Sequence, residues 1–244
     1  MGVQSVDRVV EVLEALAAVG ESSVNGIAER LGVHKSTASR ILSSLAEHGL
    51  VVKSDSAGTY SLGFGLVRLA GAVASRLDFS QIAQKLCDQV ASDLRLTANV
   101  AVLDEVYAVN VSQAMGPGLL APRHYVGLRT PGHATSSGKM LLAHHQDAAE
   151  LAMHSALESH TERTITDPSE LALEFTRVRD RGWAASDEEW EQHITAVAVP
   201  LRLPHGAVEA TLTVTGPTHS LPPRQFDQAA RRMQDFVSIS SRWV

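Results

Sequence analysis

The chain has 244 residues, 44% hydrophobic and 20% charged, with a formal net charge of −6. This is enough for two globular domains with a sizeable core; no stretch approaches the ~20 apolar residues of a membrane span, and the opening MGVQSVDRVVEVLEAL is too charged for a secretory signal. Cys87 is the single cysteine, which excludes an internal disulfide and a multi-cysteine metal site and fits a cytoplasmic location.

Ser5 to Val19 is predicted helical, with Val6, Val9, Val10, Leu13, Leu16 and Ala17 at helical spacing and Gly20 closing it. Ser23 is placed to cap a short helix, Val24 to Leu31, that turns Ile27, Ala28 and Leu31 inward. Gly32 breaks that helix, and another lies within Val33 to Gly49. Its apolar stripe is Ala38, Ile41, Leu42 and Leu45. Its other face carries Lys35, Ser36, Ser39, Arg40 and Ser43. Short hydroxyl residues with two cations let a helix sink into the major groove and touch phosphates and base edges. Leu50 to Lys53 and Thr59 to Leu62 are strands around the turn Ser54 to Gly58, a hairpin wing behind that helix. Two helices joined by a tight glycine turn form a helix-turn-helix. Ser36, Thr37, Ser39 and Arg40 are expected to read the groove, with Lys35 and Lys53 on phosphates. The first 61 residues hold five Lys or Arg against seven Asp or Glu. Affinity for DNA should therefore be modest and require two or more domains acting together.

Residues 63–78 (helical from Gly63 to Leu77) are expected to connect the DNA-binding part, 1–62, to a second domain, 79–244, and to serve as a dimer contact; an ordinary core helix is the alternative that its two apolar faces leave open. In that second part, Ser80 to Leu94 is an amphipathic helix. Asn99 to Asp104 and Tyr107 to Gln113 are strands, Pro117-Gly118 is a loop, and His124 to Val126 is a short strand. Helices follow from Gly138 to His144, Ala148 to Leu157 and Pro168 to Arg181, the last capped by Asp167 and stopped by Gly182. Ile194 to Pro200 and Ala207 to Thr215 pair around Pro204-His205-Gly206, and Gln225 to Val244 closes the chain as a helix. Helices around a hairpin-connected sheet give an α+β class.

Two stretches carry candidate chemistry. GLRTPGHATSSGK, ending at Lys139, offers hydroxyls at Thr135, Ser136 and Ser137, a close approach at Gly138, and backbone amides entering a helix, a place for a carboxylate. RGWAASDEEW precedes the apolar strand at Ile194. Asp187 in it can receive a ligand hydroxyl, although an acidic run before a strand is more often a solvated loop. Thr211, Thr213 and Thr215 alternate onto one strand face. Two rival functions are weighed. A small-molecule hydrolase would assemble His133 and Asp187 with a hydroxyl, but no nucleophile elbow, cofactor fingerprint or paired-acid spacing is present. A metal-responsive regulator would use His133, His144, His145, His154 or His160, but no pair has convincing ligand spacing. No cofactor or resident metal is expected.

The motifs GIAERLGVHKSTASRILSSLAEHGLV, GLRTPGHATSSGKMLLA and RGWAASDEEWEQHITAVAVPL, in this order and spacing, make the chain resemble the IclR family of bacterial transcriptional regulators. The resemblance implies a winged helix-turn-helix domain, a linker helix and a GAF-like effector-binding domain. It further implies a homodimer or dimer of dimers on double-stranded operator DNA, and a regulator, expected to be a repressor, controlled by a small organic, possibly aromatic, acid. In a dimer the reading helices should lie roughly 34 Å apart or a multiple of that. Carried over to this chain, the effector pocket involves Gly132, Thr135, Ser136, Ser137, Gly138, Asp187, Val197, Thr213 and Thr215. Some members have Cys where Val197 stands and Ser where Thr213 and Thr215 stand. The pocket is therefore expected to be tighter and less polar than theirs and to favour an aromatic or medium-sized acid. Gly132 stands where a larger residue often closes the pocket, and His193 where Gly is frequent.

Overall fold

A computed structural model describes residues 3–54, 56–74, 80–117, 125–202 and 206–240. The chain divides into two compact units, Met1–Asp78 and Phe79–Val244.

In the first unit, α1 (Gln4–Val19), α2 (Val24–Leu31) and α3 (Lys35–Glu47) pack on a small antiparallel sheet. The core is Val12, Ala15, Leu16, Ile27, Ala28, Ala38, Leu42, Leu45, Val51 and Tyr60, all buried. Of the apolar stripe expected on α1 only Leu16 is fully buried; Val9 and Leu13 pack partly against the core, whereas Val6, Val10 and Ala17 are exposed and Val12 and Ala15 take the inward face, so the helix is rotated from the expected stripe. Ser23 caps α2 by accepting the Gly26 N–H at 3.2 Å. Gly32 ends α2 in the left-handed conformation, at φ 61°. The wing strands β2 (Val51–Lys53) and β3 (Thr59–Leu62) pair as expected, and β3 also pairs with a third strand, β1 (Glu21–Ser23). Three residues are too few to show an alternation, so β1 has no sequence signature. α4 (Gly65–Ala74) starts against the end of the reading helix. Gly63 and Gly65 donate their N–H groups to the Leu50 and Gly49 carbonyls at 2.8 and 2.9 Å. A Cβ on either would strike the Gly49 carbonyl, so backbone lies directly on backbone. The connector thus begins as part of the first unit.

The second unit is one six-stranded antiparallel sheet in the order β6-β5-β4-β9-β8-β7. The strands are β4 (Thr97–Asp104), β5 (Tyr107–Ala114), β6 (Arg129–Pro131), β7 (Ala184–Asp187), β8 (Ile194–Arg202) and β9 (Val208–Pro217). One face is apolar: Ala98 and Val100, Val197 and Val199, and Leu212 and Val214 pack with α5 (Ser80–Leu94) and α9 (Phe226–Ser240). The other face meets α6 (Ser136–His144), backed by α7 (Gln146–His154) and α8 (Pro168–Arg181). Every residue of α6 from Ser136 to Ala143 is buried. Such a helix needs room for its backbone, and Gly138 lies directly on Gly132, where a Cβ would overlap the Gly132 backbone. Among the described residues, no helix is long and apolar enough to cross a membrane.

Several sequence expectations shift. The strand expected at His124 to Val126 is a turn over its described residues, closed by Leu128 N–H on the Tyr125 carbonyl at 2.8 Å; the strand is β6, beyond it. His124 itself lies outside the described residues, as do Pro204 and His205 of the expected turn, Gly118 of the expected loop and residues 75–77 and 241–244 of two expected helices. α6 begins two residues before Gly138, because Thr135 caps it by accepting the Gly138 N–H at 3.2 Å. α7 begins at Gln146 and ends at His154, short of Leu157. The cap by Asp167 on α8 is present, with Ser169 and Glu170 N–H donating at 2.8 and 3.0 Å.

Candidate functional site

Two sites stand out, one in each unit. In the first, α3 presents Lys35, Ser36, Thr37 and Arg40 to solvent, with Ser39 half-buried beside them and Lys53 exposed on β2. The opposite face of α3 is fixed in the core through Ala38, Leu42 and Leu45. The polar face is therefore held rigidly outward, without an acidic residue in the first turn of the helix.

In the second unit a cavity of about 40 Å³ lies between the start of α6 and the sheet, room for roughly three waters. Its floor is Thr135, Ser136 and Ser137; its strands contribute Asn99, Asn110, Thr130, Ser186, Ile194, Ala196, Thr213 and Thr215; Tyr125, Trp190 and Glu191 complete it. The Tyr125 and Trp190 rings are 6.3 Å apart. By position, the Ser136 and Ser137 amides open α6 and have no intrahelical acceptor. Among the described residues six buried side-chain polar atoms have no partner, and three belong to this cavity: Asn99 Oδ1, Ser136 Oγ and Thr213 Oγ1. A buried polar atom left unpaired costs about 1–3 kcal/mol, so three around one space describe a surface awaiting a polar ligand.

Of the effector-pocket residues expected from sequence, Thr135, Ser136, Ser137, Thr213 and Thr215 come together here. Four do not line the cavity. Val197 lies on the other face of the sheet, packed with the α5 and α9 core; alternation along β8 gives the cavity Ala196 instead. Gly132 donates its N–H to the Val106 carbonyl at 3.1 Å and packs against Gly138, so it opens no room in the cavity, and Gly138 serves the same close approach. Asp187 receives Arg163 at 2.7 Å. The lining is rich in hydroxyls and amides. Sequence reasoning missed Asn99, Asn110, Trp190 and Ala196. The asparagines had a signal, because Asn is depleted in strands and both sit in apolar strand runs.

Beneath the floor, Lys139 is 1% exposed and Glu189 8%. Lys139 Nζ donates to both Glu189 carboxylate oxygens at 2.6 Å. Burial pushes the Glu189 carboxyl above its ordinary range, while Lys139 pulls against it. Nearby, His133 Nε2 donates to the Glu158 carbonyl at 2.9 Å, and burial pushes its pKa down, with the His160 ring 5.7 Å away. The other histidines are dispersed: His145 bonds the Val208 carbonyl and His154 the Glu150 carbonyl, and Arg202 and Arg179 stand beside His144. Among the described residues no three His, Cys, Asp or Glu side chains are grouped to hold a metal. Neither member of the hydrolase pairing, His133 or Asp187, lines the cavity. Burial pushes the Cys87 thiol up to about 12, so it stays protonated and inert.

Comparison with known proteins gives a family match in each part of the chain. Residues 71–242 match the family described as bacterial transcriptional regulator IclR, C-terminal, and residues 5–55 match the IclR helix-turn-helix domain. The chain is 28% identical to the HTH-type transcriptional regulator BhcR of Paracoccus denitrificans, over 99% of this chain and 86% of that one. It is 30% identical to the glycerol operon regulatory protein of Streptomyces coelicolor, over 86% and 84%. An IclR homolog from Microbacterium hydrocarbonoxydans, solved with 4-hydroxybenzoate, superposes with a TM-score of 0.82 at 27% identity, covering 98% of this chain and 100% of that one.

Removing Lys139 should expose the cost of its partner. In Lys139→Met the Glu189 charge is buried without a counter-charge, a loss of about 3–5 kcal/mol at neutral pH. A carboxyl whose folded pKa is raised favours folding when protonated. The deficit should therefore shrink as pH falls from neutral toward about 4.3, the ordinary Glu value. Urea denaturation across that window checks this; a deficit that is constant with pH would contradict it.

Proposed function

The chain belongs to the IclR family of bacterial transcriptional regulators, and from that we propose how its two units divide the work of a DNA-binding regulator controlled by a small organic acid. Its relatives are named as regulators, not enzymes. In our reading it is a repressor acting in the cytoplasm. Ser36, Thr37, Ser39 and Arg40 read the major groove, and Lys35 and Lys53 hold phosphates. Arg40→Ala should cost about 1–3 kcal/mol of operator affinity and relax specificity at one base pair. The assay is titration of operator variants at fixed salt. A loss equal for all sequences would make Arg40 a phosphate contact instead.

A modest positive face on an acidic chain needs a second copy. The apolar residues left exposed in the first unit support a homodimer: Val3, Val6 and Val10 along α1, and Phe64, Val67 and Leu69 at α4, with Phe64 86% exposed. Patches of this kind mark association surfaces. Phe64→Asp should shift the sedimentation of the free protein toward monomer and weaken operator binding; an unchanged mass with native affinity would remove α4 from the interface. The same measurement on the native chain distinguishes a dimer from a dimer of dimers.

The effector reading rests on one observation, the three unpartnered buried polar atoms around the cavity. A carboxylate would sit on the Ser136 and Ser137 amides, where the helix end favours an anion. A ligand hydroxyl would donate to Asn99 Oδ1, and a hydroxyl or carbonyl would meet Thr213 Oγ1, with the body of the acid against Tyr125, Trp190 and Ile194. The ligand class is thus a compact hydroxylated acid. The 4-hydroxybenzoate bound by the Microbacterium homolog has a carboxylate and a hydroxyl at opposite ends of a flat body. A thermal-shift panel should show stabilisation by hydroxylated acids and none by glyoxylate; the reverse pattern sinks the idea. Thr213→Val should stabilise the free protein by about 1 kcal/mol, since it removes an unpaired buried hydroxyl, and should abolish the shift. Destabilisation of the free protein would mean that Thr213 already has a structural partner.

A further inference from the structure

Residues 188–193 contribute Trp190 and Glu191 to the cavity wall. Glu188 and His193, at the two ends of the segment, have φ of 60° and 64° although neither is glycine. Side-chain-bearing residues keep this conformation where the surroundings over-determine it. Both ends are tied: Thr218 donates its hydroxyl to the Glu188 carboxylate at 2.8 Å and its N–H to the His193 carbonyl at 2.9 Å. Between them Glu189 turns inward to Lys139, and the Glu189 carbonyl accepts the Thr164 hydroxyl at 2.5 Å. Lys139 lies on α6, whose first turn is the cavity floor. A single ion pair therefore joins floor and wall.

Stability alone does not explain charges at this point, because a buried ion pair is often replaced by apolar residues at no loss. What a doubly hydrogen-bonded pair adds is a fixed direction. We propose that Lys139 and Glu189 are positioning residues of the effector site, latching residues 188–193 against α6 and so setting where Trp190 stands. This rests on the reading of the cavity as the effector site. The cavity now has room for roughly three waters, so an organic acid enters by displacing a wall, and residues 188–193 form a wall tethered to the floor by charge. Opening the latch regulates that entry.

The test needs no ligand. Trp183→Phe and Trp243→Phe leave Trp190 as the sole tryptophan of the full chain, and acrylamide quenching then reports its shielding. Adding Lys139→Met with Glu189→Leu removes both charges together. The expected result is a Tm within about 3 °C of the parent and a Trp190 quenching constant raised at least about threefold, a local opening without global loss. An unchanged constant in the folded variant overturns the proposal. So does a lowered Tm with Trp190 still shielded, since the pair would then only support the fold. Should that variant fail to fold, Glu189→Gln decides. It keeps an acceptor for the Asp187 N–H, now 3.2 Å away, and must still raise the constant. Because no acid is added, the outcome is independent of whether the proposed acid class is right, which the thermal-shift panel tests separately.

Discussion

Lys139 carries its charge at a point where water does not reach, and much of the second unit is arranged to meet it. Bringing an ammonium group out of water costs several kcal/mol even after relaxation, so a counter-charge has to come to it. Glu189 supplies that charge by leaving an acidic run that would otherwise lie in solvent. To make the turn, the chain adopts left-handed backbone at Glu188 and His193. The carbonyls this exposes are met by Thr161 and Thr164, with Thr161 donating to the Glu188 carbonyl at 2.7 Å. Residues 160–164 are thereby held to the strand end at Asp187. One charge thus accounts for the course of two irregular segments.

The two faces of the sheet separate stability from recognition. Along β9, Leu212 and Val214 enter the apolar core, whereas Thr211 and Thr213 face the α6 side with hydroxyls unpaired. Each unpaired hydroxyl costs about 1–3 kcal/mol, and each buried aliphatic side chain on the other face returns a similar amount. A face of valines and leucines therefore lets the opposite face keep polar atoms in reserve. Val197 belongs to the first group and Ala196 to the second.

That parity is where the sequence was hardest to read. The helices of the first unit were legible because three to six apolar residues at helical spacing recur between local end signals, Ser23 and Gly32 here as Asp167 and Gly182 in the second unit. β1, β6 and β7 are three or four residues long and leave no period to detect. In the cavity, the hydroxyls at Thr135 to Ser137 and the alternating threonines were visible. The resemblance implies Val197 for the pocket, whereas the cavity is lined by its neighbour Ala196, which the alternation of β8 puts on the opposite face. Lys139 and Glu189 are 50 positions apart, and nothing local to Asp187-Glu188-Glu189 tells which acid turns inward. Gly132 could be seen to be small, but the reason is non-local: a Cβ there would strike the Val106 carbonyl first and the Leu142 side chain of α6 second.

The corner at Gly49 has a consequence for how a signal travels. Three glycines bring the end of α3 and the start of α4 into backbone contact, fastened by two hydrogen bonds to the Gly49 and Leu50 carbonyls. No side chain lies between them to bend, repack or absorb a displacement. In mechanical terms the joint is a weld, not a hinge. A displacement of the first turn of α4 therefore meets the residues that directly follow the reading helix through backbone contact alone.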